Sequence, residues 1–211
     1  MTTPPSTGMG KGRIEALADG VFAIAMTLLI LDVKVPPRGE EPMDDLARQL
    51  WALWPRFAAY GVTFIIVGVF WVGHHAQLNF VRRADRPFMW LNVLFLLFIS
   101  ALPFLTGLLG QHHDNPVAIA FYCGNLILAG VVLYIQLLYA AGPGRLFDPD
   151  LDPRFIRAGG YRILMGPMIY ALAIPVAFVS SATSLALCAL VPVLYLIPGR
   201  VDVYWKMGRR E

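Results

Sequence analysis

The chain has 211 residues, of which 57% are hydrophobic and 15% charged, and its formal net charge is +3. A soluble domain carries about 25% charged residues, so this composition excludes an ordinary water-facing surface. It predicts an all-α integral membrane protein. The excess of basic residues does not indicate a nucleic-acid partner, because most of them flank apolar segments, where they orient a membrane protein in the bilayer.

Six apolar segments have the length that a helix needs to cross a bilayer, roughly 20 residues for a hydrocarbon core of about 30 Å. We predict a polytopic protein with six transmembrane helices, at residues 15–34, 56–78, 88–109, 117–141, 161–180 and 183–199. The predicted domain organisation is a disordered tail over 1–12, one six-helix transmembrane unit over 13–200 and a basic tail over 201–211.

Basic residues are distributed unevenly over the ends of these segments. Thirteen of the 17 Lys and Arg lie before the first segment, between the second and third, between the fourth and fifth or at the very start of the fifth, or after the sixth. By the positive-inside rule these regions face the cytoplasm, so both termini are predicted to be cytoplasmic. A cleaved secretion signal is disfavoured, because charged Asp32 and Lys34 close the first segment where small residues would precede a cleavage site.

The first apolar segment has an aligned row of large side chains. Ile24, Leu28 and Leu31 recur at i, i+4 and i+7, which places them on one face of a helix. This spacing is ordinary for helix packing, but such side chains around an aqueous axis also form a hydrophobic constriction that gates by dewetting. Arg13 lies just before the first apolar segment and Asp19 within its leading end, and ionisable groups at such depth are usually functional.

Four polar side chains are expected at similar depth in one leaflet, and they are Asp19, His74, His75 and Asn92. Asp19 lies about 140° around the helix from Ile24, so it faces neighbouring helices when Ile24 faces elsewhere. We predict a hydrogen-bonded network of Asp19 with His75 or His74 and Asn92, because such groups cannot stay unpaired in lipid. A structural role, locking the first three helices together, is the main interpretation, and a proton relay or ion site is the alternative.

The sequence does not indicate a metal site, a cofactor or an enzyme. Its two adjacent histidine pairs, His74–His75 and His112–His113, are predicted on opposite sides of the membrane, and adjacent helical residues point about 100° apart. They therefore do not converge on one ion. The sequence also contains no recognisable catalytic or phosphate-binding motif.

Three stretches of the chain together carry a family resemblance. Residues 13–31 read Arg-Ile-Glu-Ala-Leu-Ala-Asp-Gly-Val-Phe-Ala-Ile-Ala-Met-Thr-Leu-Leu-Ile-Leu. This segment resembles the first-helix signature Arg-x-x-x-Phe-Ser-Asp of the transmembrane protein 175 family of potassium channels. Residues 70–75, and 90–96 with Pro103-Phe104, are similar to that family's second and third helices. Leu17 and Ala18 replace the Phe and Ser of the signature, which removes one hydroxyl from the polar network.

The resemblance implies a potassium channel without the Thr-Val-Gly-Tyr-Gly filter of ordinary potassium channels, and that filter does not occur in this sequence. Bacterial members carry one six-helix unit and assemble as homotetramers, with the first helix lining the axis. Family-matching positions place the constriction at Ile24, Leu28 and Leu31, with Thr27 beside it as a polar ring. The implied location is the inner membrane of a bacterium, and the implied partners are the bilayer, potassium ions and further copies of the chain.

Two other functions are compatible with the residues. A proton- or cation-coupled secondary transporter would use Asp19, His75 and Asn92 as its binding or relay site, although transporters favour sites at the membrane midplane. A non-conducting scaffold would need Ile24, Leu28 and Leu31 only as ordinary helix-packing residues.

Overall fold

The structure is a computed structural model that describes residues 11–35, 44–142, 146–148 and 151–197. These residues form helices, with one isolated bridge between Val81 and Phe147. The helices are α1 (Lys11–Leu28), which continues as a 3-10 turn (Leu29–Asp32), α2 (Asp44–Ala52), α3 (Trp54–Asn79), α4 (Arg86–Ser100), α5 (Leu102–Gln111), α6 (Pro116–Ala141), α7 (Pro153–Ala177) and α8 (Ser181–Leu196).

The apolar helices confirm the prediction of an all-α polytopic membrane protein. In the described part of the chain, five helical stretches are long and apolar enough to cross a membrane: α1 with its 3-10 turn, α3, α4 with α5, α6 and α7. α8 is a shorter apolar helix of 16 residues, and the end predicted for it at residue 199 lies outside the described residues. α1 begins at Lys11, inside the predicted tail, and residues 1–10 and 201–211 also lie outside the description.

Helix boundaries follow from capping side chains and prolines. Within the described ranges, four residues accept a hydrogen bond from a backbone N–H in the first turn of the helix they precede: Asp85, Asn115, Asp152 and Ser180. Such caps satisfy donors that a helix start otherwise leaves unpaired. The predicted third span is divided at Ala101 between α4 and α5, because Pro103 cannot donate the backbone hydrogen bond that a continuous helix requires.

Contacts between the connections show which helix ends lie together. At one end Arg82 pairs with Asp148, and the ammonium of Lys11 donates to the carbonyl of Asn79 at 3.4 Å. The start of α1, the α3–α4 connection and the α6–α7 connection therefore share this end, which we call the basic end. At the other end the hydroxyl of Ser181 donates to the carbonyl of Asp114 at 2.8 Å. The cytoplasmic location of the basic end stays a prediction.

α1 packs on the rest of the bundle with one side only. Its buried residues contact α3, α4 and α5, and they are Ile14, Ala18, Phe22, Ala25 and, in the 3-10 turn, Leu29. These positions recur every three or four residues, which is the spacing of a single helix face. Among the residues that the structure describes, nothing covers the opposite side of α1.

Candidate functional site

The uncovered side of α1 carries the three residues predicted to form a constriction, which we call the α1 stripe: Ile24, Leu28 and Leu31. Their exposed fractions are 60%, 43% and 68%. In the same turns Phe22 and Ala25 are only 1% and 2% exposed, on the packed side of the helix. The stripe therefore takes no part in the core of its own chain, and is free to face an axis or another molecule.

The helix changes geometry within the stripe. The α-helix ends at Leu28, and Leu29–Asp32 form a 3-10 turn, whereas the sequence predicts one span from 15 to 34. In a 3-10 turn residues three apart eclipse one another, so Leu31 is stacked over Leu28 more directly than in an α-helix. The turn is held by fully buried Leu29 and packs against α5.

Thr27 is exposed beside the stripe. Its hydroxyl donates to the carbonyl of Ile24 at 2.9 Å, which uses the single hydrogen of that group. The lone pairs of the Thr27 oxygen remain as acceptors. Oxygen acceptors are the groups that replace the hydration shell of a permeating cation.

Asp19 has a hydrogen-bond partner that its sequence pattern does not predict. The indole Nε1 of Trp71 donates to the Asp19 carboxylate at 2.8 Å, and the Trp71 ring stacks on His75 with centroids 5.6 Å apart. The prediction that Asp19 bonds to a histidine or Asn92 is therefore wrong in its choice of partner. The sequence does indicate that Trp71 and His75 lie on one face of α3, because they are four residues apart.

His74 and Asn92 form a second, separate pair. The Nε2 of His74 lies 2.7 Å from the Oδ1 of Asn92, and both residues are buried between α3 and α4. The His74 ring also stacks on Phe95, with centroids 5.1 Å apart. A buried polar pair of this kind is satisfied internally, which a bilayer requires. The His74–Asn92 contact belongs to the predicted network, whereas Asp19 and His75 meet through the Trp71 side chain.

The two departures from the family signature lie on different sides of α1. Ala18 is 1% exposed and faces the packed side, whereas Leu17 is 51% exposed. A hydroxyl at residue 18 would therefore enter the core and not approach the Asp19–Trp71 bond. Arg13 is exposed at the start of α1, and within the described ranges no hydrogen bond or ion pair joins it to Asp19.

Asp19 is itself exposed, at the edge of α1 beside α3 and about 180° around the helix from Leu28. An ionisable group within a membrane span normally faces protein or a water-filled cavity, because lipid cannot solvate it. The fold defines an integral, multi-pass membrane protein whose first helix exposes both an ionisable side chain and the apolar α1 stripe.

Sequence comparisons identify the family. The family model for the endosomal/lysosomal potassium channel TMEM175 matches residues 13–103. The chain is 40% identical over 189 residues to a potassium channel of Streptomyces collinus, a match that covers 88% of this chain and 91% of the relative. It is 33% identical over 189 residues to a potassium channel of Chamaesiphon minutus, covering 88% and 93%. The chain belongs to the TMEM175 family.

A solved structure supports the same assignment. The crystal structure of a lysosomal potassium-selective channel TMEM175 homologue from Chamaesiphon minutus superimposes with a TM-score of 0.78 at 32% identity, over 89% of this chain and 96% of that chain. The human endosomal/lysosomal proton channel TMEM175 is 37% identical over 133 residues, which are 58% of this chain and 26% of the human protein.

Proposed function

We propose that this chain forms a potassium-permeable channel in the inner membrane of a bacterium, with α1 of four identical copies around a central axis. The observation that carries the proposal is the α1 stripe, three large apolar side chains that the chain's own fold leaves uncovered. Support comes from the relatives in Streptomyces collinus and Chamaesiphon minutus, both named potassium channels and both matched over about nine-tenths of their length.

Small residues on α1 support close assembly of the copies. Ala16, Gly20, Ala23 and Thr27 are all exposed and recur at i, i+4, i+7 and i+11, beside the stripe. Small residues at such spacing let membrane helices approach one another closely. Four α1 helices packed through these residues would enclose an axis, as closed cyclic symmetry allows.

The stripe would then form stacked apolar rings around this axis. Rings of Ile24, Leu28 and Leu31 gate by dewetting, because water leaves a narrow apolar passage more readily than a wide or polar one. The Thr27 oxygens would lie at about the level of the middle ring, since Thr27 directly precedes Leu28, and give a cation polar contacts. Within the described residues, the buried His74–Asn92 pair is closed off by packing, which disfavours a transport site that includes Asn92.

Ion flux from proteoliposomes tests the proposal. Vesicles loaded with potassium should lose it at a rate that follows the potassium gradient alone, and protein-free vesicles should not. Flux that requires an opposing proton or sodium gradient would instead identify a secondary transporter. Absence of flux from correctly folded, oligomeric protein would identify a scaffold.

A further inference from the structure

A groove of about 800 Å³ runs between α3 on one side and α7 and α8 on the other. Its floor is formed by Leu133 and Leu137 of α6, and its walls are almost entirely apolar. Two of the wall residues, Gln77 and Arg162, lie towards the basic end of the bundle. The groove therefore has an apolar body and one polar, positively charged end.

Gln77 gives the first indication of a ligand. It is 5% exposed and lines the groove, and within the part of the chain that the structure describes neither its amide nitrogen nor its amide oxygen has a hydrogen-bond partner. An unpaired amide is costly to bury, and hydrocarbon offers no water to compensate it. A polar group of a bound molecule at the last turns of α3 would satisfy it.

Charge at the same end gives the second indication. The guanidinium of Arg162 donates to the carbonyl of Tyr195 at 2.9 Å and lies 5.7 Å from the centroid of the Tyr195 ring. Arg154 and Arg157 lie on the first two turns of α7, nearer still to the basic end. Basic pockets between membrane helices on the cytoplasmic side bind anionic lipid headgroups.

The groove also faces away from the side of α1 that would meet the axis. Met26 lines the groove, and on a helix it lies about 160° from Leu28 of the stripe. The groove is therefore directed towards the periphery of the proposed assembly, where lipid is the surrounding solvent.

We propose that this groove binds an anionic phospholipid, with one acyl chain along the apolar body and the headgroup at the basic end. Rotation about the soft terminal torsion of Gln77 turns an amide hydrogen towards an ester carbonyl of the lipid. The lipid phosphate lies beside Arg162, where opposite charges attract. Lipid binding itself does not depend on ion conduction, but the peripheral location of the groove rests on the proposed arrangement of α1 around an axis.

Lipid retention by purified, delipidated protein tests the site. The protein is incubated with dioleoyl phosphatidylglycerol or dioleoyl phosphatidylcholine in detergent micelles, and bound lipid is counted by native mass spectrometry. We expect preferential retention of the phosphatidylglycerol. Gln77→Leu should weaken it roughly fivefold to tenfold, the factor that corresponds to the loss of one hydrogen bond.

Two glycines of α3 provide a matched pair of variants. Gly68 lines the groove and Gly61, two turns earlier, does not, and a Cβ at either position meets no atom within 4 Å. Gly68→Leu should fill the groove and abolish lipid retention, whereas Gly61→Leu should leave lipid retention unchanged.

Thermal stability gives a second measurement for Gln77. In lipid-free detergent the Gln77→Leu variant should have a melting temperature no lower than that of the wild type, because the substitution removes an unpaired polar group. Added phosphatidylglycerol should stabilise the wild type more than the variant.

Equal retention of the two lipids would overturn the proposal. Unchanged phosphatidylglycerol binding in both Gln77→Leu and Gly68→Leu would do the same. Dissociation of the lipid-free oligomer by Gly68→Leu, but not by Gly61→Leu, would assign the groove to a second copy of the chain instead of a lipid.

Discussion

The carboxylate of Asp32 occupies the space in which a Cβ of residue 107 would lie, so a larger residue at this position of α5 would require the Asp32 side chain to move. Asp32 closes the 3-10 turn that carries Leu31, and its Oδ2 atom is buried. The small cavity beside this contact is lined by Arg56 and Thr106, among others. The Asp32–Gly107 contact therefore anchors one end of the α1 stripe to α5.

Gly107→Ala should destabilise the protein, because the added methyl group collides with the Asp32 side chain. Overpacking of this kind costs about 1 to 3 kcal/mol. The measurement is the melting temperature of purified protein in detergent. Gly124→Ala on α6 is the matched control, since a Cβ there meets no atom within 4 Å. The double variant Gly107→Ala with Asp32→Ala should lose less stability than the sum of the losses in the two single variants, because both changes act on one contact. Strictly additive losses of stability would show that the two residues do not interact.

The Asp19–Trp71 hydrogen bond is predicted to be structural. Asp19→Ala and Trp71→Phe each remove the hydrogen bond between the indole and the carboxylate, at a net cost of about 1 kcal/mol. Both should lower the melting temperature or the yield of the oligomer, and the double variant should cost little more than either single variant. Asp19→Asn keeps an acceptor oxygen for the indole and should be milder. A stable Asp19→Ala oligomer without conduction would instead favour a role in permeation.

Helices and their order follow from local properties of the sequence. Spans are recognisable because about 20 apolar residues are needed to cross a bilayer, and the caps at Asp85 and Asn115 stand directly before them. The depth of Asp19, His74 and Asn92 is equally local. The contacts among these residues cannot be predicted locally, because they depend on how three helices are rotated relative to one another. That rotation is set by packing around residues such as Phe22 and Phe95.

Contacts between residues far apart in the sequence could not be predicted for the same reason. Asp32 and Gly107 are 75 positions apart, and neither residue type indicates the other. The buried amide of Gln77, which has no hydrogen-bond partner among the described residues, could not be predicted either. Its burial depends on α7 and α8, which form the opposite wall of the groove. The exposure of the α1 stripe required the structure as well, because its spacing is equally typical of a packed helix.

Gly20 tests the proposed contact between copies. It is exposed on α1, and a Cβ there meets no atom of its own chain within 4 Å. Gly20→Leu should therefore fold as a single chain but disrupt assembly, since a large side chain separates closely packed membrane helices. Mass photometry in detergent measures the oligomer, and Gly124→Leu on α6 is the control. An intact oligomer with Gly20→Leu would place the contact elsewhere.

Cysteine labelling tests the orientation in the membrane. Arg83 and Asp114 are both exposed and lie in connections at opposite ends of the bundle. In intact cells Asp114→Cys should react with an impermeant thiol reagent applied outside, and Arg83→Cys should be protected until the cells are lysed. The native Cys123 and Cys188 are buried and give little background. The reverse labelling would overturn the cytoplasmic assignment of the basic end.

Permeation through variants at Leu28 tests the central claim most directly. Leu28 is the middle residue of the α1 stripe, whereas Met26 is partly buried against the core on the other side of the helix. Leu28→Ala and Leu28→Asn should raise potassium conductance or weaken discrimination against sodium in reconstituted bilayers, because dewetting depends on the width and polarity of the wall. Met26→Ala should act mainly on stability. Unchanged conductance and reversal potential in both Leu28 variants, with folding and assembly intact, would contradict the account and remove the stripe from the pore.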